Sequence, residues 1–138
     1  MSEHLPELPD HRFLKKYRIK LRNDFRVVYD LGTVAADGTL VIHALRNEKG
    51  YSRIGLSIPK KVGAAPIRNQ WKRWMREAFR LNRTELPVGL DIIIRPKKDA
   101  DGNFLVVSKS LIRLMGKLDS KLPKSDISKP EVEARDQI

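Results

Sequence analysis

The stretch Ser57–Arg83, SIPKKVGAAPIRNQWKRWMREAFRLNR, organises the rest of the chain. Two adjacent lysines and a Gly-Ala-Ala-Pro joint lead into a predicted helix, which begins at Pro66 because proline suits the first helical turn. The helix should end near Asn82–Arg83, and it carries only one acid, Glu77. Against that acid stand six cations: Arg68, Lys72, Arg73, Arg76, Arg80 and Arg83. At about 100° per residue, all six fall within an arc of roughly 140°.

The other side of this helix is mainly apolar, which predicts that it packs on a core. Its apolar residues are Trp71, Trp74, Met75, Ala78, Phe79 and Leu81. A charged helix face is ordinarily a solvated face with Glu–Lys pairs four residues apart, and a single acid can supply few such pairs. Because unpaired like charges repel one another, the pattern favours a face that binds an external polyanion.

Composition points to the same class of partner. The 138 residues suit one compact domain with short tails, and the formal net charge is +11. Such an excess favours nucleic acid or an anionic membrane surface over a small substrate. The absence of cysteine excludes disulfides and cysteine-ligated zinc. Nothing resembles a membrane span or a cleavable signal peptide, so we expect a cytoplasmic protein with no membrane partner.

The two ends of the chain read differently from its middle. Residues 1–13 are predicted to form a flexible leader, and residues 119–138 a disordered polar tail. The basic composition of residues 11–22 is typical either of an arm that orders on phosphate or of a solubilising tail. Residues 14–118 should form a single α/β domain.

Within that domain, the first half predicts one helix and a pair of strands. Asn23 is a suitable N-cap for a helix that reaches Leu31 and ends at Gly32. Residues 39–45 and 51–58 alternate in polarity as strands do, and a short turn at residues 47–50 joins them. Two consecutive strands with such a turn suggest an antiparallel hairpin.

The second half adds a strand and a helix. The Ile-rich run at residues 90–95 predicts a buried strand ended by Pro96. Asn103 can cap a last helix whose apolar stripe is Phe104, Val107, Leu111, Leu114 or Met115, and Leu118. The elements therefore run helix, two or three strands, helix, strand, helix, which predicts an α/β sandwich with helices packed on one sheet.

Residue patterns for protein-borne catalysis are absent from the sequence. The histidines, His4, His11 and His43, are scattered and form neither a metal-binding spacing nor a Ser–His–Asp set. Gly63 lies beside lysines but lacks the Gly–Lys–Ser/Thr order of a phosphate-binding P-loop. We therefore predict no catalytic residue, no metal ligand and no small-molecule substrate for the protein itself.

The ordered residues of the basic segment resemble the signature of the bacterial ribonuclease P protein subunit. The core of the match is Ala65-Pro66-Ile67-Arg68-Asn69, followed by Lys72-Arg73 and Arg76. Similarity extends from about Leu14 to Leu118 and includes Asn23-Asp24-Phe25, Tyr29, Gly32, Arg53-Ile54-Gly55-Leu56-Ser57 and Asp91–Arg95.

The resemblance implies both a fold and a function. The fold would be an α-β sandwich with a mostly antiparallel sheet of about four strands, element order αβββαβα and a left-handed βαβ crossover. The function would be to assist a catalytic RNA that removes the 5′ leader of precursor tRNA. The RNA would carry the chemistry and bind most of the Mg²⁺, while the protein contacts that RNA and the leader.

Site residues follow from the resemblance, position by position. Those that match the contacts to catalytic RNA are Lys60, Lys61, Arg68, Asn69, Lys72, Arg73 and Arg76. Arg80, which lies on the same basic arc of the helix, is predicted to join them. Those that match the lining of a leader cleft are Phe25, Tyr29 and His43. From spacing alone, Phe25 and Tyr29 would be core residues, whereas stacking of each on an unpaired base is worth about 1–3 kcal/mol.

Two positions depart from the signature, and two other functions compete with it. Gln70 stands where the family often has arginine, and Trp71 replaces a usual aliphatic residue. Composition alone also allows a structural, ribosomal-type RNA-binding protein. A DNA-binding regulator is disfavoured because a strand, and not a second helix, precedes the basic helix.

Overall fold

The computed structural model describes residues 13–123, and its elements follow the predicted order αβββαβα. They are α1 (Arg22–Leu31), β1 (Thr33–Ala36), β2 (Leu40–Arg46), β3 (Arg53–Leu56), α2 (Ala65–Asn82), β4 (Leu90–Pro96) and α3 (Phe104–Lys121). Short 3-10 turns occur at Lys15–Tyr17, Lys60–Val62 and Arg83–Glu85. The predicted α/β class is confirmed. The predicted leader, except for residue 13, and residues 124–138 of the predicted tail lie outside the described residues.

The sheet has the strand order β1-β2-β4-β3, and the predicted hairpin of β2 with β3 is wrong. β4 lies between these strands, antiparallel to β2 and parallel to β3. The Ile-rich β4 is buried along almost its whole length, and a strand that is apolar on both faces is most stable in the middle of a sheet. β3, α2 and β4 thus form a βαβ unit, whose left hand stays a prediction from the resemblance.

One face of the sheet carries the main core beneath α2 and α3. Leu40, Ile42 and Ala44 of β2 are fully buried there, with Phe79 of α2 and Leu111 of α3. At about 25 cal/mol per Å² of apolar surface, burial of each of the larger four, which excludes Ala44, contributes about 1.5–3 kcal/mol. The opposite face is covered only in part, by α1, and is therefore the face that can receive a ligand.

The segment before α1 is packed against the domain, so the predicted mobile arm or tail at residues 11–22 is wrong for its described part. Tyr17 and Ile19 are buried, and the Ile19 amide donates to the Ile54 carbonyl at 2.9 Å. The helix then begins at Arg22, earlier than the predicted cap at Asn23, because the Leu21 carbonyl already accepts from the Phe25 amide at 3.2 Å.

The last helix continues past the predicted start of the disordered tail. As predicted, Asn103 caps α3, and its side chain accepts from the Val106 amide at 2.9 Å. At the other end, Arg46 of β2 binds the Asp119 carboxylate at 2.7 Å and the Pro123 carbonyl at 2.9 Å. A guanidinium that satisfies the last carbonyls keeps the helix closed to Lys121.

Candidate RNA-binding surface

The basic helix α2 is anchored at its start by a glycine turn. Gly63 has φ of 155°, a region that side-chain-bearing residues rarely adopt, and it joins the Lys60–Val62 turn to α2. Its carbonyl accepts from Nε of Arg68 at 3.0 Å. Arg68 therefore has a structural role beside its predicted one. Lys60 and Lys61 project from the turn and are exposed.

The middle of α2 forms a ridge of cations, which we call the basic ridge: Lys72, Arg73 and Arg76. The hydrogen bond with Arg80 has the largest effect in lowering the pKa of Glu77, and the charges of Arg73 and Arg76 help to lower it further. Among residues 13–123, none of the three forms an ion pair. Arg76 lies three and four residues from the other two, a spacing at which like charges repel by about 0.2–0.5 kcal/mol per pair. A helix that keeps such repulsion on its surface is arranged to meet an anion.

The C-terminal end of α2 and the turn after it differ from the ridge because their cations Arg80 and Arg83 have partners. Nη2 of Arg80 binds the Glu77 carboxylate at 2.5 Å, and this hydrogen bond lowers the pKa of Glu77. The guanidinium of Arg83 lies 4.5 Å from the ring centre of Tyr17. Leu81, predicted for the apolar side, is 40% exposed. Arg80 is consequently engaged by Glu77, and its contact with RNA stays a prediction.

On the open face of the sheet, Phe25 of α1 packs against Gly55 of β3. A Cβ at Gly55 would come within 2.7 Å of the Phe25 ring, so the ring can reach the sheet only because residue 55 is glycine. Phe25 remains half-buried. Its position matches the predicted cleft lining and excludes it from the main core.

Tyr29 and His43 form the second part of this lining. Their rings meet edge to face with centres 4.7 Å apart, and Tyr29 is 40% exposed. Burial lowers the pKa of His43, and the positive charge of Arg95 lowers it further. His43 is therefore neutral at pH 7, and its imidazole can stack or accept a hydrogen bond. The aromatic cleft, as we call it, consists of Phe25, Tyr29 and His43.

The basic ridge and the aromatic cleft adjoin each other. A cavity of about 200 Å³ is lined by Phe25 from α1 and by Lys72 and Arg76 from α2. Arg18, which the sequence pattern assigned only to the basic arm, lies in the same cavity. One residue of the predicted leader cleft, Phe25, thus lies in the same cavity as two of the predicted RNA contacts.

Arg73 and Asn69 lie on the other side of α2, together in a groove between α2 and α3. The ridge therefore separates two hollows, one facing α1 and the other facing α3. An RNA backbone crossing the ridge would have unpaired bases within reach of either.

Three further cations were missed from the sequence. Arg95, Lys97 and Lys98 line a cavity of about 510 Å³ together with Lys61. Arg95 lies on the same face of the sheet as His43, since the alternating side chains of β4 put it beside Val41. The signal that could have found them is the run Arg95-Pro96-Lys97-Lys98 directly after a buried strand.

No group of three or more His, Asp or Glu residues within residues 13–123 could hold a metal ion. In the same part of the chain, no helix is long and apolar enough to cross a membrane.

Comparison with known proteins shows the family of the chain. The family described as Ribonuclease P matches residues 13–119. The chain belongs to this family. It is 41% identical over 105 residues to the ribonuclease P protein component of Geobacillus kaustophilus, a match that covers 75% of this chain and 87% of the relative.

Solved structures of family members share the fold. The ribonuclease P protein of Thermotoga maritima superposes with a TM-score of 0.68 at 33% identity, covering 72% of this chain and 96% of the other. That of Staphylococcus aureus gives 0.66 at 33% identity, covering 73% and 94%. The predicted family and its mixed α/β fold are therefore confirmed.

Proposed function

We propose that this chain is the protein subunit of ribonuclease P, which binds the catalytic RNA and the 5′ leader of precursor tRNA and so promotes removal of that leader. The observation that carries the proposal is the cavity where Lys72 and Arg76 of the basic ridge meet Phe25 of the aromatic cleft. Cations that form no ion pair within the described residues are available to phosphate, and an accessible aromatic ring stacks on unpaired bases. Their proximity suits a protein that holds an RNA helix and a single strand together.

The basic ridge would anchor the catalytic RNA. The α2 start, with Lys60, Lys61, Arg68 and Asn69, would extend the same surface toward the Gly63 turn. Each phosphate neutralised releases counterions, so this part of the affinity should depend strongly on salt. The chemistry would stay on the RNA and on Mg²⁺ that the RNA binds, and the protein would add position and charge.

The aromatic cleft would receive the leader. Phe25 and Tyr29 lie one helical turn apart on α1, and both project over the open face of the sheet. Neutral His43 continues the lining without attracting phosphate, whereas Arg95 beside it supplies a positive charge. In such an arrangement the leader bases would stack on the aromatic rings, and the leader backbone would pass close to the positive charge of Arg95. We expect these partners in the cytoplasm.

The test is cleavage of precursor tRNA by a bacterial ribonuclease P RNA at low magnesium, with and without this protein. We expect 5′ processing to be restored. The double variant Arg73→Ala with Arg76→Ala should lose this stimulation and retain its circular dichroism. RNA binding without stimulation would support the structural RNA-binding alternative, and loss of helical signal in the variant would make the cations structural.

Leader recognition needs its own measurement. Phe25→Ala should reduce the preference for precursor over mature tRNA, because mature tRNA has no leader to stack. Leu31→Ala, an exposed apolar truncation at the end of the same helix, serves as the matched control. An unchanged ratio of the two affinities would return Phe25 to a packing role.

A further inference from the structure

A groove between α2 and α3 lies outside the surfaces assigned above to the leader. Its volume is about 670 Å³, and its lining is Pro66, Asn69, Gln70, Arg73, Trp74, Glu77, Leu81 and Phe104. We call it the α2–α3 groove. The α2 residues recur every three to four positions, so they form one stripe along the helix, beside the basic ridge.

Trp74 is the largest side chain of the groove, and its ring is held in place from behind. It meets Trp71 edge to face, with ring centres 5.3 Å apart and planes at 76°. Trp71 is buried, and a Cβ at Gly102 would lie 2.5 Å from its ring, so Gly102 leaves the room that the indole occupies. A ring fixed in this way loses little entropy when a base stacks on it.

The polar groups beside Trp74 are free to bind. The side chains of Asn69 and Gln70 are exposed, and neither forms a hydrogen bond to any other residue that the structure describes. A carboxamide can bond the edge of an adenine with two hydrogen bonds. Arg73 supplies a cation for phosphate, while the charge of Glu77 is compensated by Arg80.

We propose that the α2–α3 groove binds an unpaired nucleotide of the catalytic RNA, with its base stacked on Trp74, its edge bonded by Gln70 and its phosphate held by Arg73. This inference rests on the proposed function, because it names a further contact with the same RNA. It also explains both positions at which the chain differs from the family signature, Gln70 and Trp71. Gln70 replaces a charge by an amide, and Trp71 supports the ring on which the base lies.

The charges of the groove favour RNA over an apolar partner. Arg73 lies on the basic ridge, so a strand that follows the ridge passes the mouth of the groove. A second copy of this chain would bring another basic ridge to the same place, and the two would repel each other. RNA is therefore the occupant that the surrounding charge selects.

The test measures equilibrium binding of a bacterial ribonuclease P RNA to the full chain and to Trp74→Leu, Trp74→Phe and Gln70→Ala. Stacking and bidentate contacts of this kind change affinity by about five-fold or more, so Trp74→Leu and Gln70→Ala should each weaken binding by at least that factor. Trp74→Phe, which keeps a ring, should recover part of the loss. The control is Val88→Ala, which truncates an exposed apolar side chain outside the groove.

Tryptophan emission provides a readout that a purely structural role would not change. Both tryptophans of the chain lie at this site, so a stacked base should quench the emission when RNA binds, and the quenching should be lost in Trp74→Leu. Unchanged affinity and emission with cleavage still stimulated at low magnesium would overturn the groove site alone. No RNA binding by the unaltered protein would overturn the proposed function and this site together. An emission change that follows protein concentration without RNA would identify a second copy as the occupant and overturn the site.

Discussion

Replacing Arg76 by alanine should separate binding from stability. Arg76 lies one turn from Lys72 and Arg73, so its removal relieves two repulsive pairs, worth about 0.4–1 kcal/mol in total at low salt. Against this gain, the half-buried stem of Arg76 and its attraction to the charge of Glu77 are lost. The two effects are similar in size, and we expect the free energy of unfolding in urea to change by less than about 1 kcal/mol.

Binding should respond much more strongly. Removing one phosphate contact lowers the slope of log affinity against log salt by roughly 0.7–0.9. Loss of the charged hydrogen bond should weaken binding of the catalytic RNA by about 1.5 kcal/mol, roughly ten-fold. Lys117→Ala removes an exposed cation of α3 and should leave both quantities unchanged. The interpretation of the ridge as a phosphate-binding surface would be refuted by a different result. In that result the free energy of unfolding falls together with the affinity for RNA, while the slope of log affinity against log salt stays constant.

Three smaller perturbations test the supports of the site. Gly55→Ala should displace the Phe25 ring, cost about 1–3 kcal/mol of stability in urea unfolding and reduce the preference for precursor tRNA. If both measurements are unaffected, the ring does not need the glycine. Burial alone would raise the pKa of Asp37, but hydrogen bonds to its carboxylate hold it at about 2, below its ordinary 3.8. Asp37→Asn should therefore destabilise the protein at pH 7, and its difference from the unaltered protein should shrink as the pH falls from about 4 to 2; a constant difference contradicts this. The pKa of His43, followed by NMR, should lie below 6.5 and rise part of the way back in Arg95→Gln, since burial remains. A value unmoved by the substitution would remove Arg95 from the cleft.

Local patterns were sufficient to predict the three helices and three of the four strands, whereas the short β1 was not placed by any pattern. The helical spacing of α2, the Asn103 cap and the Ile-rich β4 each depend on residues close together in the chain, so all three were predicted near their observed bounds. Strand pairing depends on residues far apart. The short turn after β2 suggested a hairpin, whereas the need to bury both faces of β4 decided the pairing.

In the candidate site, too, features that depend on neighbouring residues were predicted, and contacts between distant residues were not. The signature placed the basic ridge and the aromatic residues in the chain, but it could not show that Phe25 shares a cavity with Lys72 and Arg76, because they come from different helices. Arg80 was assigned to RNA from its position on the helical wheel, and its bond to Glu77 depends on rotamers that a wheel does not contain.

The central place of β4 has a consequence for how the chain folds. β2 and β3 do not pair with each other, so β3 has only the single bridge from Arg18 to Ile54 until residues 90–96 are available. Ile54 pairs with Ile92, and the whole of α2 lies between them in the chain. Parallel pairing between residues so far apart in sequence forms slowly during folding. On a ribosome, the cationic helix would leave the exit tunnel before the sheet beneath it could close. We therefore expect the nascent chain to meet cellular RNA while its core is still incomplete.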